Sequence, residues 1–196
     1  MVKMNKLLTG NKIINIINNN SSLNYDIEDN SSLVINFFHQ DLANNDINIT
    51  IKNNSSLVIN YAGICSKDTD IHINVLINGD NNKVIINNRI IGSLNKCSLY
   101  VDVYTNKKTI NNIIEENIKG LNEQGMVRIM PILRIDSHDV SASHSASVGK
   151  IDKEIIFYLK SKGLDEHVIF DLIKQSFLYQ LFSENFISMI KENNNA

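Results

Sequence analysis

The seven residues Asn30 to Asn36, NSSLVIN, return unchanged at Asn54 to Asn60, an offset of 24 residues. A shorter pair, DINI from Asp46 and DIHI from Asp70, has the same offset of 24. Two matches at one spacing point to a repeat whose units stack on one another.

The units have the composition of strands. INITI, SLVINY, IHINVLI, KVIIN and CSLYVDVY are short runs rich in β-branched residues, with Asn, Asp, Gly and Ser clustered between them. Those clusters favour turns, because their side chains satisfy local backbone groups and tolerate a left-handed backbone. No segment before residue 105 has a helical period. Short strands, turn clusters and a fixed period predict a mainly β chain: a right-handed parallel β-helix, or solenoid, with stacked asparagines at its corners. A β-sandwich is the competing architecture, since its strands are equally short. The exact echo favours stacking.

Asparagine marks the extent of this region. Of 31 asparagines, 27 lie at or before Asn122, and none occurs from Glu123 to Glu184. After residue 150 the pattern becomes helical. Asp152 is a suitable N-cap for KEIIFYLKSK, and Gly163 is a suitable stop. Asp165 begins a second helix with Val168, Ile169, Leu172, Ile173, Phe177 and Leu181 near one face. NFISMIKE supplies a third, before the polar tail NNNA. The expected organisation is a β-helix core over residues 1–150 and a small α-helical segment over residues 151–196. Thr109 to Leu121 reads either as a loop with a helical turn or as an irregular strand. Residues 125 to 136 read as extended, with Pro131, the one proline, at an edge.

Composition excludes several functions. With 19 basic and 21 acidic residues the chain lacks the basic excess that nucleic-acid binders use against phosphates. No stretch is long and apolar enough for a membrane span, and the first twenty residues lack a continuous apolar leader core, so a soluble cytoplasmic protein is expected. Cys65 and Cys97 form no ligand motif and read as separate buried thiols. Neither GxxxxGK[ST] nor GxGxxG occurs, so no nucleotide site is expected. The pairs Glu115/Glu116 and Asp165/Glu166 read as solvated acids at helix starts or in loops. Asp46, Asp70 and Asp102 could line a solenoid groove, but nothing pairs them as acid and base.

One stretch carries chemistry. VSASHSASV, Val140 to Val148, alternates in steps of two. Val140, Ala142, Ala146 and Val148 share one side of a strand and four serines the other, with His144 at the centre of the apolar row. A lone histidine there is ordinarily a core residue. His138 lies six residues earlier, on the same face of an unbroken strand and too far for one metal to bridge both.

The segment from Met130 to Leu164, MPILRIDSHDVSASHSASVGKIDKEIIFYLKSKGL, resembles the C-terminal signature of the SufB/SufD family, scaffold subunits of the SUF iron–sulfur cluster assembly machinery. The resemblance rests on Pro131 with the strand Leu133 and Ile135, on Asp139–Val140, Ser143–His144, Ala146 and Val148–Gly149, and on FYLKSKGL. It implies a non-catalytic scaffold whose β-helix pairs with a SufB-type subunit, or with a second copy, along the strand holding Val140, Ala142, Ala146 and Val148. It implies docking of a SufC-type ABC ATPase through Phe157, Tyr158, Leu159, Gly163 and Leu164. No cofactor is expected to be stably bound; a transient iron–sulfur cluster at the subunit interface would take His144 as a ligand, an imidazole whose apolar row limits water access. Ser145 stands where SufB-type chains carry an acid, and no cysteine occurs near residues 115–117, so the chain resembles SufD. Two other readings compete: a self-assembling structural solenoid with a capping tail, and a solenoid carbohydrate enzyme.

Overall fold

The computed structural model describes residues 5–41 and 43–194. Residues 1–4, residue 42 and residues 195 and 196 lie outside the described residues. Strands follow one another as β1 (Lys6–Leu8), β2 (Asn11–Ile17), β3 (Leu23–Ile27), β4 (Ser32–His39), β5 (Asn45–Ile51) and β6 (Ser56–Cys65). They continue as β7 (Thr69–Ile77), β8 (Lys83–Gly92), β9 (Lys96–Thr105), β10 (Asn112–Asn122), β11 (Met126–Ile135) and β12 (Val140–Lys150). Odd strands form one six-stranded sheet and even strands a second, each in chain order. Every pairing is parallel. The fold is therefore a parallel β-solenoid of two-strand coils, as the repeat predicts.

Each residue of NSSLVIN has a partner in the next coil. Asn30 and Asn54 hold positive φ, 56° and 54°, at a corner, and Asn81 and Asn111 follow at 57° and 53°. This is the left-handed region that asparagine tolerates. Asn111 Nδ2 donates to Asn81 Oδ1 at 2.8 Å, and Asn81 Nδ2 donates to Asn54 Oδ1 at 3.0 Å. The next residue ties the corner inward: Ser31 N–H donates to Ser55 Oγ, Ser55 N–H to Asn82 Oδ1, and Asn82 N–H to Asn112 Oδ1. Leu33/Leu57 and Ile35/Ile59 face the core. Outside, Asn15, Asn36, Asn60 and Asn87 form a ladder of amide bonds of 2.9 to 3.0 Å.

The second repeat is not structural. Asp46 of DINI pairs with His72 rather than Asp70, so the register there is 26 residues. Equivalent positions along the corner and outer ladders lie 21, 24, 27 and 30 residues apart in successive coils. Only one neighbouring pair of coils has the 24-residue spacing that makes an exact echo. Because the two-residue slip in DINI/DIHI is even, it preserves which side chains face inward.

The ambiguous segment at residues 109–121 is mostly β10, its even-numbered residues up to Gly120 facing inward. Pro131 lies in β11, an edge strand, where a missing N–H is tolerated. Cys65 and Cys97 are buried as expected, but they are joined by a disulfide, their Cα atoms 5.9 Å apart. Their sequence separation of 32 amounts to one coil plus a corner, so positions remote in sequence become neighbours.

Three helices complete the described chain: α1 (Lys153–Ser161), α2 (Glu166–Tyr179) and α3 (Glu184–Asn194). Asp152 caps α1 by accepting from the Glu154 N–H, and Gly163 turns the chain at φ 86°. Leu178, Phe182, Phe186 and Ile190 pack on Phe38, Ala62, Ile91 and Leu121 to form a second core against the even-strand sheet. Lys174 secures this contact through Glu123 at 2.6 Å. The expected α2 stripe is only partly used, since Leu172 is exposed and Leu178 is buried in its place.

The corner conformation is open to direct test. Asn81→Gly keeps the left-handed backbone while losing two ladder bonds, whereas Asn81→Val also meets a β-branched clash. Valine should cost about 1–2 kcal/mol more than glycine in urea unfolding; equal costs would show that the backbone does not constrain the corner.

Candidate functional site

Strand β12 ends the even-strand sheet and β11 ends the odd-strand sheet, so both present an unpaired edge. In-register partners on adjacent strands share a face. The pairs Asn112↔Val140, Ile114↔Ala142, Glu116↔His144, Ile118↔Ala146 and Gly120↔Val148 therefore assign the apolar row of β12 to the solenoid interior. No further coil covers that row. Val140 and Ala142 are half-buried against the main core, whereas His144, Ala146 and Val148 are exposed. The expectation that apolar neighbours keep water from His144 is thus not met in the single chain. The row's position explains this, because each earlier coil is covered on both sides and the last on one. His138 is not on the strand: it lies in the bend before Val140, held where Asp139 N–H donates to Ser137 Oγ.

Below His144 lies a residue that sequence reasoning misassigned. The interior row runs Ile14, Ile35, Ile59, Ile86, Glu116, His144. Glu116 is 3% exposed, and neither carboxylate oxygen has a hydrogen-bond partner. Its neighbour Glu115 points outward and pairs with Lys83. The two acids occupy opposite faces of strand β10 rather than a loop, Glu115 solvated as expected and Glu116 buried. Two signals in the sequence identify Glu116: the alternation Ile114, Glu116, Ile118, and its place one coil before His144. Burial, and secondarily the charge of Asp102, pushes the Glu116 carboxyl up to about 7.

The remaining candidates separate cleanly. Asp102 is held by a bidentate pair with Arg134 at 2.7 and 3.0 Å. Asp46, Asp70 and Asp102 occupy three different register rows, aligned with His72, Ser98 and Asn74 respectively. They form no acid–base pair of the kind a glycosidase requires. His72 stacks on Tyr100 with ring centroids 4.4 Å apart, and His39 is buried beside Phe37. In α1 no residue is buried; Phe157 is 76% and Tyr158 59% exposed. Leu159 is half-buried, while Gly163 and Leu164 are exposed at the turn into α2. No helix among the described residues is long and apolar enough to cross a membrane.

The stretch that forms these features is similar to known proteins. Residues 101–177, from within β9 to near the end of α2, match the family model "SUF system FeS cluster assembly, SufBD core domain". The chain is 35% identical over 78 residues to the iron–sulfur cluster assembly protein SufD of Bacillus subtilis, covering 40% of this chain and 18% of that protein. It is 43% identical over 51 residues to SufD of Escherichia coli, covering 26% and 12%. It is 38% identical over 58 residues to an iron–sulfur cluster assembly SufBD family protein of Archaeoglobus fulgidus, covering 30% and 16%. The aligned segments thus span less than a fifth of each relative.

Glu116 has a pH signature. Its folded pKa, about 7, exceeds the ordinary 4.5, so between those values the folded chain holds a proton that the unfolded chain releases. Stability therefore falls as pH rises through that window, by about 1–3 kcal/mol for this group. Glu116→Gln should lack this component of the decline in denaturant titrations at pH 4.5 and 8. Parallel curves for both proteins would mean the carboxyl is solvated.

Proposed function

Because the chain belongs, through residues 101–177, to the SufB/SufD family, we propose that it is a non-catalytic, SufD-like scaffold of SUF-type iron–sulfur cluster assembly in the cytoplasm. Its β-helix pairs with a SufB-type subunit or a second copy, and its helices dock a SufC-type ABC ATPase. The carrying observation is a coincidence of position: the segment similar to the family holds both the uncovered last coil and the helix with no buried residue.

The uncovered coil supports the pairing. β11 and β12 have ten and eleven residues, long enough to add a partner's strands by main-chain hydrogen bonds. A partner lying against β12 would cover His144, Ala146 and Val148 and exclude water from the histidine. A nascent cluster is cargo on this reading, handed to His144 at the interface. Imidazole suits the role because its neutral nitrogen ligates iron and alters the charge of a thiolate-rich cluster.

The helices support ATPase docking. α2 and α3 are fastened to the solenoid, whereas α1 presents Phe157 and Tyr158 to solvent. Burying each ring against a partner would contribute roughly 1.5–3 kcal/mol. Truncation at residue 151 is a poor test, since it would also strip the second core from Phe38 and Ile91. Phe157→Ser with Tyr158→Ser should leave unfolding unchanged and abolish co-purification with the SufC-type ATPase. His144→Ala should keep ATPase binding and impair cluster assembly in cells. Retained ATPase binding in the double variant would overturn the docking assignment.

A further inference from the structure

We propose that Arg89, Lys119 and the serines of β12 form a binding site for a phosphate group on the outer face of the even-strand sheet, beside α2. The site is independent of the scaffold reading, and its ligand is a free phosphate ion or a small phosphomonoester.

The first observation is a charge that the second core does not explain. Phe38, Ala62, Arg89, Lys119 and Ser147 follow one another in register on β4, β6, β8, β10 and β12. Phe38 and Ala62 pack under the helices together with Ile91 and Leu121. An apolar residue at position 89 would continue that floor. Arg89 instead places a guanidinium there, and the residue is only 3% exposed. Its Nη1 donates to the Asn88 and Asn117 carbonyls at 2.8 and 3.2 Å, while Nε is buried without a partner. No carboxylate pairs with it among the described residues, and burial lowers its pKa from the ordinary value with no acid to offset it. A shielded cation of this kind is costly until a counter-charge compensates it.

The second observation is another cation beside the first. Lys119 is the in-register neighbour of Arg89, on a strand about 4.8 Å away. It is exposed and forms no ion pair or hydrogen bond among the described residues. Like charges directly opposite one another destabilise a sheet, and an anion between them removes that cost.

The third observation is space. An open cavity of about 380 Å³ lies on this face, bordered by Asn87, Asn117, Lys119, Ser143 and Ser145. The contact of Nη1 with the Asn117 carbonyl sets the guanidinium beside it. Glu115 also borders the cavity, but roughly 13 Å along β10 from Lys119. Lys83 pairs with it there at 3.6 Å.

The donors select the ligand. A guanidinium offers a planar fork to paired oxygens, an ammonium offers a point charge, and the serine hydroxyls and Asn117 amide supply neutral donors. Ser147 is in register with Lys119 and Ser145 with Asn117, so these donor rows continue to the sheet edge. A phosphate presents oxygens in several directions and can compensate both cations, whereas a lone carboxylate would leave one uncompensated.

The test titrates inorganic phosphate and methyl phosphate into the full chain by calorimetry, with sodium chloride at equal ionic strength as the control. Thermal midpoints are read in parallel. The wild-type chain should bind one phosphate, and its midpoint should rise with phosphate but not with chloride. Lys119→Ala, at an exposed position, should keep the phosphate-free midpoint and weaken binding by roughly tenfold or more. Arg89→Met keeps a long apolar stem under α2 and should abolish binding; Arg89→Lys should bind weakly, because it loses the fork. A tether that only holds α2 would not require Lys119, so weakened binding in Lys119→Ala separates a ligand site from a packing role. Tighter binding of methyl phosphate assigns a phosphomonoester, and tighter binding of inorganic phosphate assigns the free ion. Absence of saturable binding, undiminished binding by Lys119→Ala or Arg89→Met, or an equal rise with chloride would overturn the site.

Discussion

The structure depends on parallel, in-register stacking, which gives each side chain a counterpart one coil away. Few residues benefit from such proximity to themselves. Asparagine does, because its amide both donates and accepts, so each copy donates to the one before and accepts from the next. Isoleucine does so by packing. The outer ladder from Asn15 to Asn87 and the inner row from Ile14 to Ile86 occupy neighbouring columns of one sheet. The corner ladder from Asn54 to Asn111 adds a backbone requirement, positive φ, to the same amide chain. The asparagine-rich composition is thus largely a consequence of stacking.

The same constraint determines what could be read from the sequence. NSSLVIN was legible because a whole coil boundary repeats at the true register. DINI and DIHI misled because coil length changes along the chain, and an even slip leaves their pattern intact. The helices and the Asp152 cap were legible because their determinants are local. The disulfide was not, since Cys65 and Cys97 meet through the path of the chain around a corner. Glu116 was misread because an isolated carboxylate pair carries no sign of which strand face it occupies until the register is known. The interior side of His144 followed from alternation alone, but its exposure did not, for that depends on where stacking stops.

The last coil and the helices that follow it are finished differently in two directions. Laterally, α2 and α3 close the even-strand sheet with an aromatic and aliphatic core and the Lys174–Glu123 bridge. Axially, β11 and β12 are left without a covering coil. The first arrangement braces the sheet that carries His144, and the second leaves the histidine accessible. A rigid support beside an incomplete surface is what precise metal or partner geometry requires.

The lengthening of successive coils has a further consequence for symmetry. Strands grow from seven residues in β2 to eleven in β12 on one sheet, and from three in β1 to ten in β11 on the other. The described solenoid is a taper rather than a cylinder. Head-to-tail association would set β1 and β2 against strands much longer than themselves, leaving main-chain groups of the broad end unpaired at every junction. Broad end to broad end, the lengths match and a two-fold axis closes the assembly after one contact. A graded coil length thus makes the two ends of the described solenoid unequal, and only like ends match in strand length.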